Sequence, residues 1–482
     1  MRNVVSAFTR FIANITRNPF GMAGAVLTTV SAVLFLTLFA LDIVGYHGGP
    51  YAGILAFLII PGLFLLGLVL IPLGLWRERV RHRRALAAGD EDQQTLPVWD
   101  LNVDRVRRNV LVFLLLSIVN LVILATATYK GVEVMESTQF CGASCHTVME
   151  PEYTTYKRSP HARVKCVECH IGEGANWFVK SKLSGSWQLV SVAFNLYPRP
   201  IATPVHNLRP ARETCEQCHW PNKFVGDRFR VNTHYSEDEA NTETKTVLVV
   251  KVGGRQAGHS QGIHWHVDPD HVVRYRADAK RQTIYEVEMA AKDGTVRRYK
   301  GATADSPEAA KAVEWRTMDC VDCHNRPTHV YRDPARELDD ALLDRRIDPA
   351  LPFVRREGLK ALQADYPSHD AARAGIARAI SDFYTASYPQ LAAEKRDAVA
   401  AAGRALGDIW AWNLFPAMNV KWGTYPNHLG HPEMSGEIGC FRCHDEAHKA
   451  ADGKTISQDC GLCHSLLAQE EKDPEILKKL GD

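Results

Sequence analysis

The chain has 482 residues, 46% of them apolar and 23% charged, with a formal net charge of +2. That is roughly three domains' worth of chain. The near-neutral balance excludes a dedicated nucleic-acid binder, and the ordinary complexity excludes disorder as the default. All twelve cysteines fall into six pairs, each ending in histidine, so none is left over for a disulfide or a reactive thiol.

In chain order, three apolar runs come first: Gly21–Val44, Tyr51–Trp76 and Val110–Thr128. Each is long enough for the roughly 20-residue helix that crosses a bilayer. A cleavable signal peptide fits the first run poorly, because it is long and lacks a small-residue cleavage site. Arg2, Arg10 and Arg17 precede the first run, Arg77, Arg79, Arg81, Arg83 and Arg84 follow the second, and Arg105, Arg107 and Arg108 precede the third. The link between the first two runs carries no Lys or Arg, so the N-terminus is expected in the cytoplasm and everything beyond the third run outside. No histidine lies within a run; His47 and His82 sit in the loops. A haem buried in the bilayer would need ligands there, so the spans are expected to anchor the chain and carry no electrons across.

Residues 131–220 are dense in Cys, His, Pro and Gly with little periodicity. Thr244–Val252, Val272–Arg276, Thr283–Met289 and Thr295–Tyr299 then cluster strand formers between turn residues, predicting a small antiparallel insertion. Asp370–Tyr384 and Leu391–Leu406 show the one-sided apolar spacing of helices. The expected organisation is a membrane domain at 1–130, a core at 131–334 with a β insertion at about 244–301, a helical segment at 335–412 and a Cys/His-rich segment at 413–482. The expected fold is mostly α and irregular, with three N-terminal transmembrane helices.

Five motifs read Cys-x-x-Cys-His: Cys166, Cys169 and His170; Cys215, Cys218 and His219; Cys320, Cys323 and His324; Cys440, Cys443 and His444; and Cys460, Cys463 and His464. This is the attachment pattern of c-type haem. Two thiols three residues apart form thioethers to one porphyrin, and the next imidazole reaches the iron. A zinc half-site or redox dithiol could explain one such motif, but not five in an exported chain with no spare cysteine. The first motif, Cys141, Cys145 and His146, holds three intervening residues. The extra one must bulge, which Gly142 and Ala143 make sterically easy. The expected load is therefore six covalent haem c groups.

The stretches CHTVMEPEY, YKRSPHARVKCVECH, PVHNLRPARETCEQCHWP and CVDCHNRPTH resemble the NapC/NirT/NrfH-type membrane-anchored multihaem quinol dehydrogenases. The likeness runs from the third apolar run to about His329, and the remainder is similar to the larger inner-membrane cytochromes of metal-respiring bacteria. The resemblance implies a first haem near the membrane beside a menaquinol pocket, with further haems passing electrons outward. It implies His161, His206 and His329 as distal iron ligands. His448 and either His428 or His431 would serve the C-terminal pair. His234, His259, His264, His266, His271 and His369 are expected to be structural, with His264 and His266 in reserve. His146 and Met149 compete as ligand to the first haem. Glu150, Glu152, Lys157, Lys182 and Gln188 are candidates for the quinol site, since oxidation releases two protons that need a base.

The expected function is menaquinol oxidation at the outer face of a bacterial cytoplasmic membrane. The haem domain is expected in the periplasm, with electrons delivered to periplasmic or outer-membrane c-type cytochromes. A second reading is an electron-conducting subunit of a larger membrane complex whose quinol site lies on another chain; the two extra spans would serve such docking, or a homo-oligomer. A terminal reductase needs an open iron face, against which the surplus of histidines argues.

Overall fold

The computed structural model describes residues 18–43, 59–87, 101–144, 146–171, 175–205, 210–219, 226–256, 259–431 and 438–481. They form two compact units, Met1–Ser144 and Cys145–Asp482.

Among the described residues, the first unit contains the α-helices α1 (Pro19–Ile43), α2 (Ile60–Ala87) and α3 (Asp104–Met135). Two segments among the described residues are long and apolar enough to cross a membrane, Pro19–Leu38 and Ile60–Arg81. α1 and α2 touch along a seam of small residues. A Cβ on Gly67 would lie 2.4 Å from Thr28 Oγ1, and one on Gly74 would lie 2.6 Å from the Gly21 nitrogen. Lipid offers no hydrophobic drive between helices, so close backbone approach of this kind is what holds them together. Asn18 Nδ2 closes the seam by donating to the Gly74 carbonyl at 3.2 Å. Of the expected second span, Tyr51–Trp76, the residues from Ile60 onward lie on α2. Its residues 51–58 and the arginines at 2, 10 and 17 lie outside the described residues, and α2 runs on through the basic stretch to Ala87. α3 contains the third apolar run and, at 32 residues, is about 48 Å long.

The second unit opens with α4 (His146–Lys157), α5 (Cys166–His170), α6 (Ala175–Ala193) and α7 (Ala211–Cys215). The β region follows: β1 (Arg228–Tyr235), β2 (Glu243–Val250), β3 (Gly254–Gln256), β4 (His259–Gln261), β5 (His271–Ala277), β6 (Ile284–Ala291) and β7 (Val296–Lys300). After α8 (Pro307–Lys311) come β8 (Arg316–Thr317) and α9 (Cys320–Cys323). Next are α10 (Pro334–Leu343), α11 (Val354–Gln363), α12 (His369–Ser387), α13 (Pro389–Glu394) and α14 (Arg396–Asn413), and finally β9 (Lys449–Ala450), β10 (His464–Glu471) and α15 (Glu475–Gly481).

The sheets are antiparallel, ordered β1-β2-β10, β3-β4 and β8-β5-β6-β7-β9. Two findings depart from the sequence expectation. The β region starts at Arg228 rather than near Thr244, and β9 and β10 come from the C-terminal segment to complete its sheets. Residues 413–482 are thus woven into the β region. The main core lies among α10–α14, where Leu338, Leu342, Ile376, Ile380, Leu406, Ile409 and Trp410 are buried. Gly403 lets α14 close on α12, with its Cβ position 3.0 Å from Ala377 Cα.

Candidate haem sites

The cysteine motifs sit on single turns. α5 carries Cys166, Cys169 and His170, α7 ends on Cys215, and α9 spans Cys320–Cys323. The last two motifs begin in 3₁₀ turns, Gly439–Arg442 and Cys460–Leu462. One helical turn brings residues three apart to the same side, as two thioethers to one porphyrin require. Before the first motif ends, Phe140–Ser144 forms a π turn, the local form that absorbs one extra residue in a helix. Cys145 and the His146 side chain lie outside the described residues.

The fourth motif is braced from within. Asp319 caps α9, and Asp322 completes the capping box. The Asp319 carboxylate also accepts from the Ala211 nitrogen at 3.0 Å, tying the third motif's helix to the fourth. Arg442, inside the fifth motif, donates to the Asp322 carbonyl at 2.7 Å.

The motif thiols adjoin in chain order. Cys169 lies within electrostatic reach of Cys215 and Cys218, and Cys215 shares a hydrogen bond with Cys320. Cys323 lies within electrostatic reach of Cys440, as does Cys463. Burial pushes the Cys323 and Cys443 thiols up, to about 11 and about 12.

The histidines test whether these sites fit haem. Two imidazoles bound at about 2 Å to one metal hold their ring centres about 6 Å apart. His170 and His329 are 6.3 Å apart, His431 and His464 6.3 Å, His161 and His219 5.9 Å, and His266 and His444 5.8 Å. Each pair joins a motif histidine to one remote in sequence. An imidazole that donates from Nδ1 is fixed in the tautomer whose Nε2 can bind metal. His329 Nδ1 donates to the Glu152 carbonyl at 2.9 Å and His161 Nδ1 meets the Pro327 carbonyl at 3.1 Å. His444 Nδ1 meets the Ser457 carbonyl at 2.7 Å. Burial, then the neighbouring His329, hold His170 down at about 4, so it is neutral at physiological pH, the form that ligates. The residues fit bis-histidine haem at these four places.

Other histidines have Nε2 committed elsewhere. His428 Nε2 bonds Gln282 at 2.9 Å. His448 was a ligand candidate in the sequence, yet its Nδ1 binds Asp445 at 3.0 Å and its Nε2 the Ile284 carbonyl at 3.2 Å. It is 2% exposed, and a Cβ on Gly301 would come within 2.8 Å of its Nε2. His271 and His369 bond the Trp265 and Leu414 carbonyls through Nε2. His264 is close enough to His324 to help depress it, after burial. His206 lies outside the described residues. His266, held only in reserve, carried one sequence signal: its pairing with His264 in a single IHWHV turn.

The quinol-site candidates separate. Glu152 is largely buried with its carboxylate 3.1 Å from His329 Nδ1, so it supports that imidazole. Glu150 is exposed, 3.6 Å from His369. Lys157 packs over the Tyr153 ring at 4.6 Å, and the Lys182 side chain lies outside the described residues. Gln188 sits on α6 within an exposed apolar stripe of Leu183, Trp187, Val190 and Phe194. Met149 is half-buried on α4.

Residues 104–200 match the model of the NapC/NirT cytochrome c family, N-terminal region. The chain is 43% identical to the cytochrome c-type protein ImcH of Geobacter sulfurreducens, over 95% of this chain and 90% of that protein. It is also 37% identical to the cytochrome c-type protein NrfH of Wolinella succinogenes, over 19% of this chain and 52% of that protein. No solved structure matches. The motifs, the paired histidines and the apolar N-terminal helices agree with this likeness: the chain belongs to the NapC/NirT-type membrane-anchored multihaem c-type cytochromes, proteins of electron transport.

Proposed function

We propose that this chain oxidises menaquinol at the outer face of the bacterial cytoplasmic membrane and passes the electrons, by way of six covalently bound haem c groups, to periplasmic or outer-membrane c-type cytochromes. The observation that carries the reading is the chain-order adjacency of the motif thiols from Cys169 to Cys463. The wire starts only a few residues after α3, which in this reading is the third span, with the N-terminus cytoplasmic and the second unit periplasmic. When bound, haem c supplies reversible one-electron chemistry.

The twelve motif cysteines would hold the haems, and His170, His219, His324, His444 and His464 would bind the irons. His329 completes the site of His170, His161 that of His219, and His431 that of His464. His206 is the further distal ligand that the resemblance implies, and the first haem takes His146 or Met149. Glu150 accepts quinol protons, and the apolar stripe around Gln188 suits a prenylated quinone, whose tail needs apolar cover.

The test is reduction of the purified single chain in lipid nanodiscs by a menaquinol analogue. Rapid haem reduction, slowed in Glu150→Gln, is expected. Haems that dithionite reduces but quinol does not would place the quinol site on another chain.

A further inference from the structure

The 3₁₀ turn Ile263–Val267 bridges β4 and β5. It is firmly shaped. Gly262 enters it at φ 69°, where a Cβ would strike the Lys251 carbonyl at 2.3 Å. Trp265 stacks on His271 at 3.9 Å, and His271 Nε2 bonds back to the Trp265 carbonyl. Within this turn His266 donates from Nδ1 to the Ile263 carbonyl at 2.8 Å, which leaves Nε2 as its coordinating nitrogen. Its ring centre stands 5.8 Å from that of His444, with the rings at 71°. Spacing and Nδ1 anchoring both match the His170–His329 pair.

We propose that His266 would be the second histidine ligand of the haem that Cys440, Cys443 and His444 would hold. This rests on the haem reading of the fifth motif. It leaves His448 as a structural histidine, consistent with its two hydrogen bonds and enclosed position. It also gives the β insertion a role: one ligand comes from the insertion and the other from the C-terminal segment, beside the junction where Cys323 lies within electrostatic reach of Cys440. The insertion thereby fixes the fifth haem against the fourth.

The experiment uses the full-length, haem-loaded chain, with intact mass confirming equal haem content in every variant. His266→Ala should open one iron. The reduced protein then binds one more carbon monoxide per chain than the unaltered protein, and the oxidised protein gains a high-spin signal worth one haem that added imidazole reverses. His266→Met should keep that haem low-spin and raise its potential alone. A haem-complete His266→Ala with unchanged carbon monoxide binding would overturn the assignment, as would His448→Asn opening the site instead. Free thiols at Cys440 and Cys443 in the unaltered protein would overturn the haem reading of this motif itself, and the assignment with it.

Discussion

Asp322 lies between the two cysteines of the fourth motif and is 3% exposed. Its Oδ1 accepts from the Tyr275 hydroxyl at 2.6 Å and from Arg316 Nε at 2.8 Å, while Oδ2 accepts from the Asp319 nitrogen at 2.7 Å. The Arg281 guanidinium stands 3.6 Å away. Asp322→Ala strips all of these at once. Removing one partner of a buried ion pair costs about 3–5 kcal/mol. Arg316, 31% exposed, can recover some hydration, which draws the figure to the lower end. The buried Tyr275 hydroxyl is also orphaned, at about 1–3 kcal/mol. Part of that penalty overlaps the first, so a loss of about 3–4 kcal/mol is expected. Tyr275→Phe, which removes a single donor, should cost about 1 kcal/mol. The assay is the denaturant midpoint of the haem-loaded protein, followed by circular dichroism. The Arg442 bond to the Asp322 carbonyl survives the substitution, so the fourth and fifth motifs stay joined. A midpoint for Asp322→Ala within about 0.5 kcal/mol of the unaltered protein would refute the reasoning.

His431→Ala should open the last haem to carbon monoxide, whereas His428→Ala should not; the opposite result would exchange their roles. His428 is held at about 4, below its ordinary 6.5, by burial and then by Arg442. The unfolded chain therefore binds more protons between those values, so the stability that neutral His428 contributes is complete above pH 6.5 and is lost as pH falls through 4. An acid-unfolding curve should show this loss, of order 1–3 kcal/mol, and His428→Gln should flatten it; identical curves would count against it. Gly67→Ala drives a methyl into Thr28 and should cost about 1–3 kcal/mol, seen as a lower melting temperature in detergent. An unshifted transition would mean that the α1–α2 seam is looser than described.

The cysteine motifs were legible because their chemistry fixes residue type and spacing within one turn. α12 and α14 were legible because their apolar faces repeat at helical spacing. β1 was missed although polar residues at 228, 230, 232 and 234 alternate with Phe229, Val231, Thr233 and Tyr235, the two-residue period of a strand. β10 escaped because His464–Glu471 reads as a motif followed by a polar tail, and only pairing with β2 makes it a strand. The histidines proposed as iron ligands show the same limit. His161 and His329 could be placed by resemblance to family motifs, but a ligand supplied across a tertiary junction leaves no local pattern. Nearness in sequence favoured His448, whose ring the structure ties to Asp445 and Ile284; His266 is 178 positions before the imidazole it faces.

The central proposal is that six haems form a wire that begins a few residues after α3 in the chain. Intact mass spectrometry of the purified full-length chain tests this directly, combined with alkylation of any free thiol. A mass six haems above the polypeptide and no alkylated cysteine are expected. Five haems, with Cys141 and Cys145 alkylated, would contradict the proposal and move the start of the wire to Cys166–His170.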